Sequence, residues 1–231
     1  MKKNQSISEY LAYHLPFYSV IIFLIFNLVA MFLYPGGTYQ NPELNRYMFT
    51  QNYFSDLGRT NTINGIHNFL SSFIFNNTLM IMGLSIVYFY FHLPKLFKKN
   101  TIAYNLSRIA SLIAITSGIS FMGVGFTPSD LYLDEHMFFV RWAFRSFLIV
   151  AIIYIIAILK APDWPNKYAL IYIGFALTLF SYILIMDFGP SGKESMEGLI
   201  IQVVAQKIIA IAFVISVYFK SKGAKIIYFN S

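Results

Sequence analysis

Six long apolar runs restrict this sequence to one kind of fold. They lie near Leu15–Tyr34, Phe69–Phe91, Ile102–Val124, Met137–Leu159, Tyr168–Met186 and Leu199–Phe219. Each is about 20 residues long, enough for a helix to cross roughly 30 Å of hydrocarbon. Backbone N–H and C=O groups in lipid need internal partners, and a helix supplies them within one segment. The expectation is an all-α polytopic membrane protein, a single bundle of six transmembrane helices over residues 1–231. Composition agrees, because 12% of the residues are charged, about half the share of a soluble domain. The spans take up most of the chain and leave no length for a separate soluble domain. The first run starts late and leads into Tyr34-Pro35-Gly36-Gly37 rather than a small-x-small cleavage site. It is expected to stay in the protein. With no cysteine, neither disulfides nor a thiolate metal site is available.

A net charge of +7 raises the question of a nucleic-acid partner, and its distribution answers it. Lys2 and Lys3 precede the first span. Lys95, Lys98 and Lys99 fall between spans two and three, Lys160 and Lys167 between four and five. Lys220, Lys222 and Lys225 follow span six. With alternating spans all ten share one side, which the positive-inside rule makes cytoplasmic. Both termini are therefore expected in the cytoplasm of a cell-membrane protein. The basic excess is topology, and no nucleic acid is expected.

The opposite side receives most of the acidic residues, including Asp56, Asp130 and Asp187, which also keep its loops soluble. Cations inside the spans need a separate account. Arg141 and Arg145 stand one turn apart on span four. Lys207 lies about 12 Å into span six from the outer end. A charge near a helix centre costs about 3 kcal/mol on insertion scales, so it faces a partner or water. Snorkelling to headgroups suits Arg141, and at the cytoplasmic side Arg108. Arg145 and Lys207 are expected to share an outward-facing polar pocket.

The segment NYFSDLGRTNTINGIHNFLSS, Asn52 to Ser72, concentrates polar groups ahead of span two. Ser55 or Asp56 is placed to cap a short helix near Leu57, and Asp56 with Arg59 is equally a local ion pair. His67 and Ser71, four apart, would share a helix face. Asn76 and Asn77, deeper in span two, read as interhelical glue. Ser111, Gly118 and Gly125 form a small-residue stripe for close packing on span three.

Asn52-Tyr53-Phe54-Ser55-Asp56-Leu57-Gly58 resembles the N-x-[IF]-S-[DE]-L-G pattern of domain-of-unknown-function family 998. Gly123-Val124-Gly125-Phe126-Thr127-Pro128 with Asp130 and His136 resembles that family's G-x-F-P…D…H segment. The resemblance implies a six-helix prokaryotic membrane protein and implies little about activity. The first motif is also similar to P-Y-I-S-D-T-G of the Frag/DRAM/Sfk family, linked to lipid remodelling, with Asn52 in place of proline and Leu57 in place of threonine. Membrane hydrolases of the ceramidase and adiponectin-receptor type hold zinc with three histidines. Here His67 and His136 alone fall on the outer side, and no metal or other cofactor is expected.

Three functions fit these residues. The first is a membrane protein whose outward pocket binds a lipid or lipid-linked ligand through Arg141, Arg145, Lys207, Asp130 and Asp187. The second is a lipid-modifying hydrolase or acyl transferase at the outer leaflet, with Ser55, Asp56, His67 and His136 as catalytic candidates. No G-x-S-x-G or H-E-x-x-H motif accompanies them. The third is a small-solute transporter, for which no inverted repeat is visible. Membrane lipids are the expected partners, and a homo-oligomer is left open.

Overall fold

The computed structural model describes residues 6–230 of the 231-residue chain. The architecture is all-helical. Its long helices are α1 (Ile7–Leu33), α2 (Phe69–His92), α3 (Thr101–Phe126), α4 (Leu133–Lys160), α5 (Lys167–Phe188) and α6 (Met196–Asn230). All six are long and apolar enough to cross a membrane. Each helix packs on its neighbour in sequence, and α6 returns against α1, which closes a ring. Large apolar side chains such as Phe32, Leu112, Leu177 and Phe188 point away from it and are more than half exposed. An outward apolar surface of this extent suits hydrocarbon rather than water.

The connections after α1, α3 and α5 meet at one end, called here the loop end. The α2–α3 and α4–α5 connections lie at the other, the basic end. A 3-10 turn, Leu93–Phe97, follows α2 there, and Phe97 stacks on Trp164 with centroids 4.9 Å apart. Asn100 caps α3 by accepting the N–H of Ala103 at 2.9 Å. Lys2 and Lys3 lie outside the described residues.

Several helices run longer than their apolar runs. α1 starts at Ile7 and carries Pro16 inside it. α4 starts at Leu133, ahead of the expected Met137, because Asp134 and Glu135 in its first turn complement the helix N-terminus. α6 has 35 residues and extends about 52 Å, so it continues well past Phe219. This extension revises the position of Lys220. Expected among the basic flank, it is buried within the ring, 3% exposed, and its ammonium donates to the Tyr90 hydroxyl at 2.9 Å.

The small-residue stripe on α3 performs the packing expected of it. A Cβ on Gly118 would sit 2.9 Å from the carbonyl oxygen of Gly83 on α2, and one on Gly125 would sit 2.8 Å from that of Asn76. Ser111 turns to α4 and hydrogen-bonds the Tyr154 hydroxyl at 2.7 Å.

Candidate functional site

Residues 34–68 fold back over the loop end as a lid. The chain leaves α1 through Gly36 and Gly37, both at positive φ. A Cβ on Gly36 would meet the carbonyl of Leu44 at 2.1 Å, so only glycine fits. Leu57 and Tyr34 pack with α1–α3 side chains in a small apolar cluster, and polar side chains tie the rest of the lid down. Gln40 donates to the carbonyls of Gly192 and Lys193 in the α5–α6 loop at 3.2 and 3.1 Å. Asn68 donates to the carbonyls of Leu57 and Arg59, Ser71 to that of Leu57, and Asn76 to that of Gly58. Irregular backbone near the membrane leaves carbonyls without helical partners, and these side chains satisfy them.

Asn52 organises this lid. Fully buried, it donates to the Gly37 carbonyl at 2.8 Å and to Asp56 Oδ2 at 3.2 Å, and accepts the Met48 N–H at 2.9 Å. Its own carbonyl receives the Tyr47 hydroxyl at 3.1 Å and the Lys207 ammonium at 2.6 Å. Lys207 is 2% exposed and packs over the rings of Phe54, Tyr47 and Phe49 at 4.4, 5.4 and 5.4 Å.

The SDLG segment forms a 3-10 turn, Phe54–Gly58. Asp56 accepts the N–H of Tyr53 at 2.8 Å along with the Asn52 amide. No ion pair joins it to Arg59 or Lys207 among the described residues, so the local-pair reading gives way to a structural role in the turn. Burial pushes its carboxyl up, against the pull of those hydrogen bonds and of the Arg59 and Lys207 charges. The phenol of nearby Tyr53 is pushed up to about 12, mostly by burial and then by Asp56.

The expected cationic pocket divides into separate contacts. Arg145 lies on the bundle surface and pairs through Nη2 with both oxygens of Asp187, at 3.0 and 2.8 Å. Asp187 is in the last turn of α5 rather than in a loop. Arg145 is exposed and Lys207 buried against Asn52, so they form no common pocket. Arg141 is exposed, as snorkelling predicts. Asp130 clamps the lid to the α3–α4 loop, accepting Thr60 N–H at 2.9 Å, Thr60 Oγ1–H at 2.5 Å and Asn61 N–H at 2.9 Å. Its partial burial raises the carboxyl, but these three bonds outweigh that and hold it below the usual range. His67 is exposed on the lid ahead of α2, bridged to Asn61. It therefore shares no helix face with Ser71. Asn77 bonds within its own helix, to the Phe73 carbonyl, and glues nothing.

Beneath the lid a cavity of about 80 Å³ lies inside the ring. Its walls are apolar, from Phe23, Phe75, Leu79, Phe121, Ala143 and Phe213, and its polar groups are Ser55, His136 and Gln206. Gln206 accepts the Phe54 N–H at 2.7 Å and also hydrogen-bonds the Tyr182 side chain. His136, 4% exposed, donates from Nδ1 to the Thr127 carbonyl at 2.7 Å. In the neutral ring that bond leaves the lone pair on Nε2. No side chain bonds the Ser55 hydroxyl among the described residues. Thus two of the four catalytic candidates, Ser55 and His136, meet at one cavity, while Asp56 and His67 do not. No group of three or more histidine or acidic residues gathers among the described residues.

Sequence reasoning missed Asn52 as the hub, Gln206 beside Lys207, and the burial of Lys220. A glutamine next to a lysine in an apolar span was the available signal for Gln206. The geometry defines a class: an integral membrane protein of six helices with a lidded internal cavity. No family model matches the chain, and no curated protein or solved structure is significantly similar to it.

Proposed function

We propose that the protein binds a lipid or lipid-linked molecule, taking an apolar end of it into the cavity beneath the lid. The observation that supports this is the division of the cavity wall: apolar from five helices, polar at Ser55, His136 and Gln206 near the lid. An amphiphile needs that division, a dry seat for its chain and a few placed groups for its head. At about 80 Å³ the cavity is smaller than the roughly 150 Å³ space that holds benzene. It seats a chain end, and a larger group requires the lid to move. The two segments that carry the motif resemblance, Asn52–Gly58 and Gly123–His136, are the ones that build the cavity's lid side. In this reading the loop end faces outward and the basic end, with Lys95, Lys98, Lys99 and Lys160, faces the cytoplasm.

The test is native mass spectrometry of protein purified from its membrane, before and after cavity filling by Ala143→Phe or Ala210→Phe. The expected result is a co-purifying amphiphile that both substitutions remove while the protein stays folded. Retention of the same molecule at wild-type occupancy in both variants would overturn the proposal.

A second reading, a membrane-embedded hydrolase or acyl transferase, is favoured by one relation: Ser55 and His136 line the same cavity. Nδ1 is held by the Thr127 carbonyl, so Nε2 is the atom free to take a hydroxyl proton. Here Ser55→Ala and His136→Gln would each abolish turnover of an ester or amide lipid and leave binding intact. Binding lost with no turnover in the wild type supports the binding reading alone.

A further inference from the structure

At the basic end a second site takes no part in the cavity. Asn105, Arg108, Leu112 and Ile115 recur every three to four residues and form one stripe of α3. Tyr90, Phe91 and Pro94, from the end of α2 and the turn after it, face them across a groove of about 630 Å³. The groove opens on the outer face of the bundle, where Phe91, Ile109 and Leu112 are 67%, 54% and 68% exposed.

Its polarity is graded along the helix. Asn105 and Arg108 stand within about two turns of the start of α3 at Thr101, next to the basic end. Leu112 and Ile115 lie one to two turns deeper. Arg108 is exposed, with Tyr104 as its ring contact at 5.6 Å, and no carboxylate pairs with it among the described residues. Tyr90 and Ser111, both buried, make the floor. Behind Tyr90 stands the Lys220 ammonium, 2.9 Å from the phenolic oxygen and boxed by the rings of Tyr172, Phe175 and Phe147 at 4.5, 5.4 and 5.9 Å. It too has no carboxylate partner among the described residues.

We propose that this groove binds an anionic phospholipid of the membrane, its phosphate on Arg108 and Asn105 and an acyl chain along Leu112 and Ile115. A guanidinium presents a planar fork that matches phosphate. The order of polar and apolar residues matches a lipid standing with its head at the basic end. A free phosphate would use the first half of the groove and leave the second empty. The site is separate from the central cavity and does not rest on the function proposed for it.

The test is competition in neutral detergent between phosphatidylglycerol and phosphatidylcholine of identical chains, read by native mass spectrometry. Wild-type protein is expected to retain phosphatidylglycerol about fivefold over phosphatidylcholine, the worth of one cation near the headgroups. Arg108→Gln, at an exposed position that leaves the fold intact, should bring the ratio near one, and Arg108→Lys should keep part of the preference. Ile115→Trp should reduce retention of both lipids. Equal retention in the wild type, an unchanged ratio in Arg108→Gln, or full retention in Ile115→Trp would each overturn the proposal. Complete displacement by millimolar inorganic phosphate would assign the site to a free anion and overturn the lipid.

Discussion

The Lys207 ammonium is bonded to the main-chain carbonyl of Asn52, 2.6 Å away, and not to a carboxylate. A cation from α6 therefore fastens the lid through backbone. Lys207→Met should keep the packing against Phe54, Tyr47 and Phe49 and lose that bond, costing about 1.5–3 kcal/mol as a hydrogen bond to a charged group. Hydrogen exchange should quicken over residues 48–58 with the helices unchanged. Uniformly faster exchange across α1–α6 would contradict a role confined to the lid.

Asp56 shapes the turn by accepting from Tyr53 and Asn52. Asp56→Asn retains an acceptor for the Tyr53 N–H and should cost within about 1 kcal/mol, whereas Asp56→Ala strands buried donors and should cost about 1–3 kcal/mol. Burial raises the folded carboxyl above its unfolded value. Its contribution is thus fully present below the unfolded value of about 3.9 and is lost as pH rises through the folded one. Melting temperatures of wild type and Asp56→Asn, compared at pH 4 and pH 8, should shift in favour of the variant at the higher pH. A loss in Asn as large as in Ala would mean that the charge itself is required.

Asp130 has the opposite sign. Its carboxyl is held low by Thr60 and Asn61, so its contribution is present above the unfolded value and lost as pH falls through the folded one. Protease cleavage near Thr60 should therefore rise below about pH 4 in the wild type. Asp130→Asn should be cleaved readily at neutral pH, with little further change on acidification. A variant as resistant as wild type at pH 7 would show that the clamp does not hold the lid.

Orientation can be read directly, because the chain has no cysteine. Single cysteines replacing Glu43 or Glu194 should react with an impermeant thiol reagent applied to intact cells. Cysteines replacing Lys98, Lys160 or Lys222 should react only after the membrane is opened. Outside labelling at Lys98 would invert the arrangement.

Helix number and type were legible in the sequence because hydrocarbon imposes a one-dimensional rule: about 20 apolar residues, backbone satisfied within the segment. All six runs became helices, and the Gly118 stripe met α2 as its small side chains allow. Lengths beyond lipid were not legible. Polar residues in the ends of α1, α4 and α6 are helical because of capping charges and contacts with neighbouring elements, such as Ser221 donating to the Tyr13 carbonyl at 2.7 Å.

Tertiary structure alone decided which polar residues meet. Charge and hydrophobicity identify Arg145, Lys207 and Lys220 as residues that need partners, but a partner's identity depends on how the helices rotate and close into a ring. Arg145 turned outward to Asp187, Lys207 inward to a lid carbonyl, and Lys220 into an aromatic box. The cluster from Asn52 to Ser72 stood out in sequence because irregular backbone beside a membrane needs side chains to satisfy it. That Ser55 and His136, far apart in the chain, face one cavity follows from the packing of α4 beneath that lid, which no local pattern encodes.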